Sequence, residues 1–433
     1  MFLRSILLVV LLSTDIFAQY SESFEDIIKN PEYATSISIS SEKEMKIFDK
    51  NIKKFKNLTS LSINGYDEIK SIPKSIYTLK GLQSLSISTF TITQLPPDLG
   101  KLVNLEYLNI SGEPCGGSTS ISKIPNEIGK LKNLREFRAS SSNLSFLPAS
   151  ISECENLQVL DLDETPLKSI PFSIFQMKYL QELRLSCWEI QSLPQDISSC
   201  KSLTTLRLGG KLYSIPAGIS KLKNLTHLYV DYDLYSIPDE IFQCTELVDL
   251  ELHIGASATI PNSFSSLTNL KNLTITGSSN GAEPMTREIP STISNLSKLT
   301  NLTLTNLGIE DFGTHVTKLG ELSYLNLKIN KIKSFTPALS NLKKLSYLEL
   351  DDNPISDFHP VIVQMPELLT ISLVNTKIQT IDQSLLKQLK KITFILDMTP
   401  FGEWLQSEKG EQFRNFYDQK DIYFQPYMDP GGC

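Results

Sequence analysis

The residues of this chain best suited to chemistry are His227, Asp249 and His253, with Tyr229, Asp231 and Glu251 among them. Imidazoles and carboxylates in this mixture serve metal sites and acid–base pairs. Tight metal binding or catalysis needs such groups to converge in a pocket that excludes water. Their spacing is that of side chains standing in parallel rows and open to solvent, which suits recognition better. No nucleophile motif, phosphate-binding glycine loop or metal-binding helix motif accompanies them. The expectation is therefore no catalytic residue, no metal and no cofactor.

The elements that must position these residues are written in a repeat. Leu58, Leu61 and Ile63 form a unit L-x-x-L-x-L. Its first position returns at Leu82, Leu105, Leu134, Leu157, Leu180, Leu203, Leu225, Leu247, Leu270, Leu299, Leu322, Leu345, Leu368 and Ile392. Steps of 22 to 24 residues, with two of 29, mark a solenoid whose every turn gives one short strand to a parallel sheet. A second group follows the strand, as in Ile72-Pro73-x-x-Ile76-x-x-Leu79. Proline suits a segment leaving the sheet, and aliphatics at i and i+3 suit a short helical return.

Strand, loop and I/L-P-x-x-I-x-x-L together resemble the leucine-rich-repeat family. The segment Phe24-Glu25-Asp26-Ile27-Ile28-Lys29-Asn30-Pro31-Glu32, followed by Ile37 and Ile39, is similar to the amino-terminal cap of bacterial members from spirochaetes and Bacteroidetes-type species. The resemblance implies an α/β solenoid, a right-handed superhelix with a parallel concave sheet and short helical or irregular convex returns. It implies a cap and atypical first turn over 19–57, about 15 turns over 58–396, and a carboxy-terminal cap over 397–433. Two departures stand out. The post-strand asparagine of the family is present at Asn330 and Asn353 but is Ser142, Thr165, Trp188 or Leu307 elsewhere. The last four full turns also lose the I-P pair, reading Phe312-Gly313, Phe335-Thr336, Phe358-His359 and Ile381-Asp382.

A net charge of −7 with scattered basic residues argues against nucleic acid as a partner. Arg4, the apolar run Ile6 to Leu12 and the Ala18-Gln19 junction read as a signal peptide over 1–18. That run is too short to span a bilayer, so the expectation is export: secreted, periplasmic or at the cell surface, without an integral membrane segment in the mature chain. Six cysteines in an exported chain suggest disulfides. Cys154, Cys200 and Cys244 instead replace the convex leucines two turns apart, roughly 10 Å, beyond disulfide reach, so they read as core hydrophobes. Cys115 and Cys187 are expected in post-strand loops, and Cys433 is a lone terminal thiol.

The ligand should lie on the concave face. Between the second and third aliphatics the central turns carry Arg138, Asp161, Arg184, Arg207, Tyr229 and Glu251, whereas both ends are small and polar. Adding His227, Asp231, Asp249 and His253 completes the candidate patch, and Tyr324 beside Tyr347 is a secondary candidate. Arginine and tyrosine are favoured in binding hot spots; the plainer reading is a solvated face of mutually paired charges. Inserts at 112–120 and 277–286, rich in Gly, Ser and Pro, predict rim loops. The tail carries Phe401, Trp404, Phe413, Phe416, Tyr417, Tyr423, Phe424 and Tyr427, predicting a cap with one helix near Gly402 to Tyr417. The sequence thus predicts an exported, non-enzymatic scaffold binding a partner protein. The alternative is a carbohydrate- or envelope-binding structural protein.

Overall fold

A computed structural model describes residues 23–112, 117–194, 197–212, 214–278 and 286–425. The expected signal segment, Cys115, Cys433, Tyr427 and parts of both inserts lie outside the described residues. The chain forms two compact units, residues 1–167 and 168–433.

The first unit begins with α1 (Phe24–Lys29), β1 (Ser36–Ile39) and α2 (Glu42–Asn51). Ser23 and Ser41 cap the two helices by accepting from Asp26 N–H and Glu44 N–H, each at 3.3 Å. Strands β2 (Ser60–Tyr66), β3 (Ser84–Thr89), β4 (Tyr107–Asn109), β5 (Glu136–Arg138) and β6 (Val159–Asp161) follow, each pairing in parallel with the one before. Register sets like on like: Leu61 faces Leu85, Leu85 faces Leu108, and Leu108 faces Phe137. All four are buried. Each turn covers its neighbour's apolar edge, and each buried Leu contributes about 2 kcal/mol by leaving water.

The second unit repeats the scheme with β7 (Glu182–Cys187), β8 (Thr205–Gly210), β9 (His227–Leu234), β10 (Asp249–Ile254), β11 (Asn272–Gly277) and β12 (Asn301–Thr305). It continues through β13 (Tyr324–Asn326), β14 (Tyr347–Glu349), β15 (Thr370–Ser372), β16 (Ile392–Ile395) and β17 (Ile422–Gln425). Neighbouring strands again pair in parallel. Most returns are five-residue 3-10 helices, such as Lys74–Thr78 in the first unit and Ala217–Lys221 in the second, with Pro73 and Pro216 at their N-caps. In two of the four turns that lose the I-P pair, Pro337 and Pro360 move to the first helical position, and Thr336 and His359 cap through their side chains. Phenylalanines pack in series there: Phe312 stacks on Phe335, Phe335 meets Phe358 and Phe358 meets Phe394 edge to face, and Phe394 stacks on Phe424, with ring centroids 5.5 to 6.4 Å apart.

Polar side chains tie consecutive turns together. Asparagines just before the strand leucine donate to a carbonyl of the preceding turn, Asn57 to Glu32 and Asn104 to Lys80 in the first unit, Asn224 to Lys201 in the second. After the strand, Asn330 Nδ2 donates to Leu304 O and Leu327 O while its Oδ1 accepts from Leu307 and Ile309 N–H. Ser142 and Thr165, at the equivalent position, bond a carbonyl of their own turn, Ala139 O and Leu162 O. The residue before this position is left-handed in several turns, as at Ser141, Glu164, Ile329, Asp352 and Asn375. For β-branched Ile329, at φ 57°, this backbone is strained.

Cys154, Cys200 and Cys244 are buried as expected, their thiols directed at Ile128 O, Ile174 O and Ile219 O. Burial pushes the Cys154 thiol up to about 12 and those of Cys200 and Cys244 to about 11. Cys187 departs from expectation: it is the last residue of β7 and buried, because that strand runs three residues further than a three-residue one. The carboxy-terminal cap also departs, having two helices and a final strand in place of one helix. With α3 (Gln383–Leu386) preceding, α4 (Pro400–Leu405) and α5 (Glu408–Asp418) are separated at Ser407, which caps α5 by accepting from Gly410 N–H. Gly410 lies against Trp404 O and Leu405, leaving no room for a Cβ. Phe413 holds the cap together, packing on Phe401, Trp404, Tyr417 and Phe424.

Two substitutions check these interactions by thermal and denaturant unfolding. Asn353→Ala removes bonds to Leu327 O, Leu350 O, Asp351 O and Ile332 N–H, and is expected to cost roughly 3 kcal/mol. Ile329→Asn, at an exposed position (44%), is expected to gain about 1 kcal/mol by easing the left-handed backbone.

Candidate functional site

The strands alternate strictly, so the residues between the aliphatics stand on one solvent-facing side in cross-strand rows. In the first unit Arg138 lies opposite Asp161, with 3.6 Å between their charged groups, and 3.3 Å from Glu136. Asp161 was expected to present its carboxylate to a partner. It is 5% exposed, and its Oδ1 accepts from Asp163 N–H at 3.2 Å. Buried beside Arg138 on the neighbouring strand, it pairs with that guanidinium.

The remaining candidates stand together in the second unit. Arg184 and Arg207 are cross-strand neighbours, and Arg207 in turn faces Tyr229. Two guanidiniums side by side repel; each is held by a carboxylate, Arg184 by Glu182 at 2.5 Å and Arg207 by Asp231 at 3.4 Å. His227 meets Asp249 at 2.8 Å, and Asn272 donates to the same carboxylate. Burial pushes the Asp249 carboxyl up, but hydrogen bonds from His227 and Asn272 outweigh it and leave the group below its usual value. His227 and Tyr229 stack at 6.5 Å. Burial, reinforced by Asp249 and Glu251, pushes the Tyr229 hydroxyl up to about 12.

A β-bulge completes the group. Val230 faces Leu252 and Leu234 faces Ile254, so three residues of β9 oppose His253 alone. Asp231 and Asp233 thereby both reach the solvent side beside His253, while Tyr232 turns inward. His253 lies 3.6 Å from Glu251 and 3.8 Å from Asp231. The hydrogen bond it donates to Glu251, with the charges of Asp231 and Asp233, holds its imidazole above the usual value against burial. Sequence reasoning missed Asp233 and Glu182. The signal for Asp233 was the Asp231-Tyr232-Asp233 alternation, which extends the strand pattern past the third aliphatic. Among the described residues no three His, Cys, Asp or Glu side chains are placed to hold a metal ion.

The secondary pair is a different kind of site. Tyr324 and Tyr347 stack with centroids 5.2 Å apart. Tyr324 Oη and Asn326 Nδ2 both donate to Glu349, each at 2.9 Å, and Lys328 lies 3.5 Å from it. Glu349 is 8% exposed. Asp351, also buried, accepts from Ser372 Oγ at 2.6 Å and Val374 N–H at 2.8 Å. Desolvation, with Glu349 and Asp352 adding to it, pushes its carboxyl up to about 6 against those two bonds.

With this geometry in place, the Leucine-rich repeat region family model matches residues 173–313 and the Leucine rich repeat model residues 297–355. A leucine-rich-repeat protein of Leptospira interrogans is 27% identical, with 94% of this chain and 99% of that one covered and a TM-score of 0.75. The functional domain of InlJ from Listeria monocytogenes, which includes a cysteine ladder, is 23% identical, with 75% of this chain and 65% of that one covered and a TM-score of 0.53. The latter likeness is one of fold alone. No curated protein matches the chain. Repeat, strand ladder and solved relatives define a solenoid of the class that commonly serves as a protein-interaction scaffold. Together the two leucine-rich-repeat models match residues 173–355, and the likeness to the Leptospira protein extends the same fold over most of the chain. Among the described residues no helix is long and apolar enough to cross a membrane.

Asp351 gives a pH test of the buried network. Its carboxyl stays protonated in the folded state up to about 6 but ionises near 4 when unfolded. The folded state therefore holds the extra proton between these values, and stability is lost as pH rises through about 6. Asp351→Asn, which mimics the protonated form, is expected to remove this dependence. Its stability relative to wild type, followed by denaturant unfolding, should rise by up to about 3 kcal/mol between pH ~4 and ~7.

Proposed function

We propose that this chain is an exported, non-enzymatic scaffold that recognises a partner protein through the strand side of its solenoid, chiefly with β7 to β10 of the second unit. The observation that carries this reading is the row of half-buried charged and aromatic side chains on those strands. Arg184, Arg207, His227, Tyr229 and His253 are already held by neighbours before any partner arrives. A preformed surface loses little entropy on binding. A catalytic role has less support, since the side chains open to solvent and enclose no reacting centre.

Export rests on the amino-terminal reading of residues 1–18. The carbohydrate alternative draws on aromatic faces for sugar stacking. Tyr324 and Tyr347 spend facing sides on each other, and Tyr232 is buried, so the geometry favours a protein ligand.

The test is affinity capture from envelope and host-surface fractions with residues 19–433 as bait, beside an Arg207→Ala/Tyr229→Ala variant whose unfolding midpoint is checked. A specific protein retained by the wild type and weakened at least about tenfold in the variant is the expected result. Equal retention by both would move the site off β8 and β9.

A further inference from the structure

The charges on the strand side of β7 to β10 are unequal. Five carboxylates, Glu182, Asp231, Asp233, Asp249 and Glu251, stand against two guanidiniums and two imidazoles. Both guanidiniums are engaged within the face, Arg184 by Glu182 and Arg207 by Asp231. The arginines therefore serve to hold the surface together, and the charge offered outward is negative. The bulge in β9 reinforces this by bringing Asp233 to the same side as Asp231.

A second and independent feature lies at the rim. Trp188 follows directly on the last residue of β7 and is 48% exposed; Tyr235 follows directly on the last residue of β9 and is 77% exposed. Large aromatics left open to water at the ends of the strands that carry the acids mark a contact surface. Their ring faces attract cations, as does the Tyr229 ring within the face.

We infer that the occupant of this face is a cationic polypeptide segment, rich in Lys and Arg, whose charges meet Asp231, Asp233 and Glu251 while its stems pack on Tyr229, Trp188 and Tyr235. This rests on the reading of the strand side as a binding surface and adds the chemistry of the partner. Charge complementarity of this kind sets specificity and association rate, and weakens with added salt.

The experiment uses the full mature chain and three fluorescent peptides of equal length, based on Lys/Arg, Gln or Glu, with binding read by anisotropy at low and moderate salt. The Lys/Arg peptide is expected to bind best and to weaken with salt. An Asp231→Asn/Asp233→Asn/Glu251→Gln variant should lose about tenfold or more. A control variant, Glu408→Gln/Glu411→Gln on exposed positions of α5, should bind as wild type does, and unfolding curves verify that both variants fold. The inference is overturned if the Lys/Arg peptide binds no better than the Gln peptide, if the Glu peptide binds best, or if the α5 variant weakens binding as much as the face variant. The last outcome would mean attraction to the net negative chain as a whole. If the peptide arm fails while Arg207→Ala/Tyr229→Ala still releases a captured protein, the partner chemistry is wrong and the binding face stands. If neither variant set changes binding, both readings fail.

Discussion

One turn of this chain cannot bury its own leucines. Leu61, Ile63 and their counterparts leave water only when the adjacent turns lie against them, so stability belongs to the interfaces between turns. Everything else in the structure serves that stacking. Parallel strands hold the turns about 4.8 Å apart, asparagines before several strands, such as Asn57, Asn104 and Asn224, clip one turn to the one before it, and Asn330 and Asn353 bond across turns behind the strand. Where Ser or Thr is present instead, as at Ser142 and Thr165, the hydroxyl bonds a carbonyl of its own turn.

The same constraint makes the strand-side face. Stacking in register forces equivalent residues into rows, so the character of the surface is decided one position at a time and a row of like charge must be balanced from beside. The Arg184 and Arg207 pair illustrates it: neighbouring carboxylates make the repulsion tolerable and fix both side chains. Glu349 and Asp351 illustrate a second solution, in which one carboxylate is saturated with donors and the other holds its proton to unusually high pH. A network saturated in this way is suited to rigidity, whereas the β7 to β10 face still presents charge and aromatic surface.

Much of this could be read from the chain, because the repeat is a direct record of stacking. The spacing of Leu58 through Ile392 locates the strands, and lateral neighbours such as His227 with Asp249 or Tyr324 with Tyr347 follow from counting along the repeat. What escaped were departures from the period. The bulge that delivers Asp233 is two extra residues in one strand, and counting from the aliphatics stops before it. The depth of Asp161 depends on what lies over it, which a one-dimensional pattern does not encode. In the cap, aromatic content implied a cover for the last turn, yet Ser407 divides its helix through a capping bond that tertiary packing around Gly410 makes worthwhile. Left-handed Ile329 runs against its own propensity and is held there by the loop bonds around Asn330.

The central claim, that the strand side of the second unit is where a partner sits, is tested most directly by hydroxyl-radical footprinting of the chain alone and with its captured partner. Protection of Tyr229, His253 and Trp188, with exposed Phe172 and Tyr179 beside the 3-10 return unchanged, is the predicted result. Protection of Phe172 and Tyr179 with Tyr229 and His253 still reactive would contradict it.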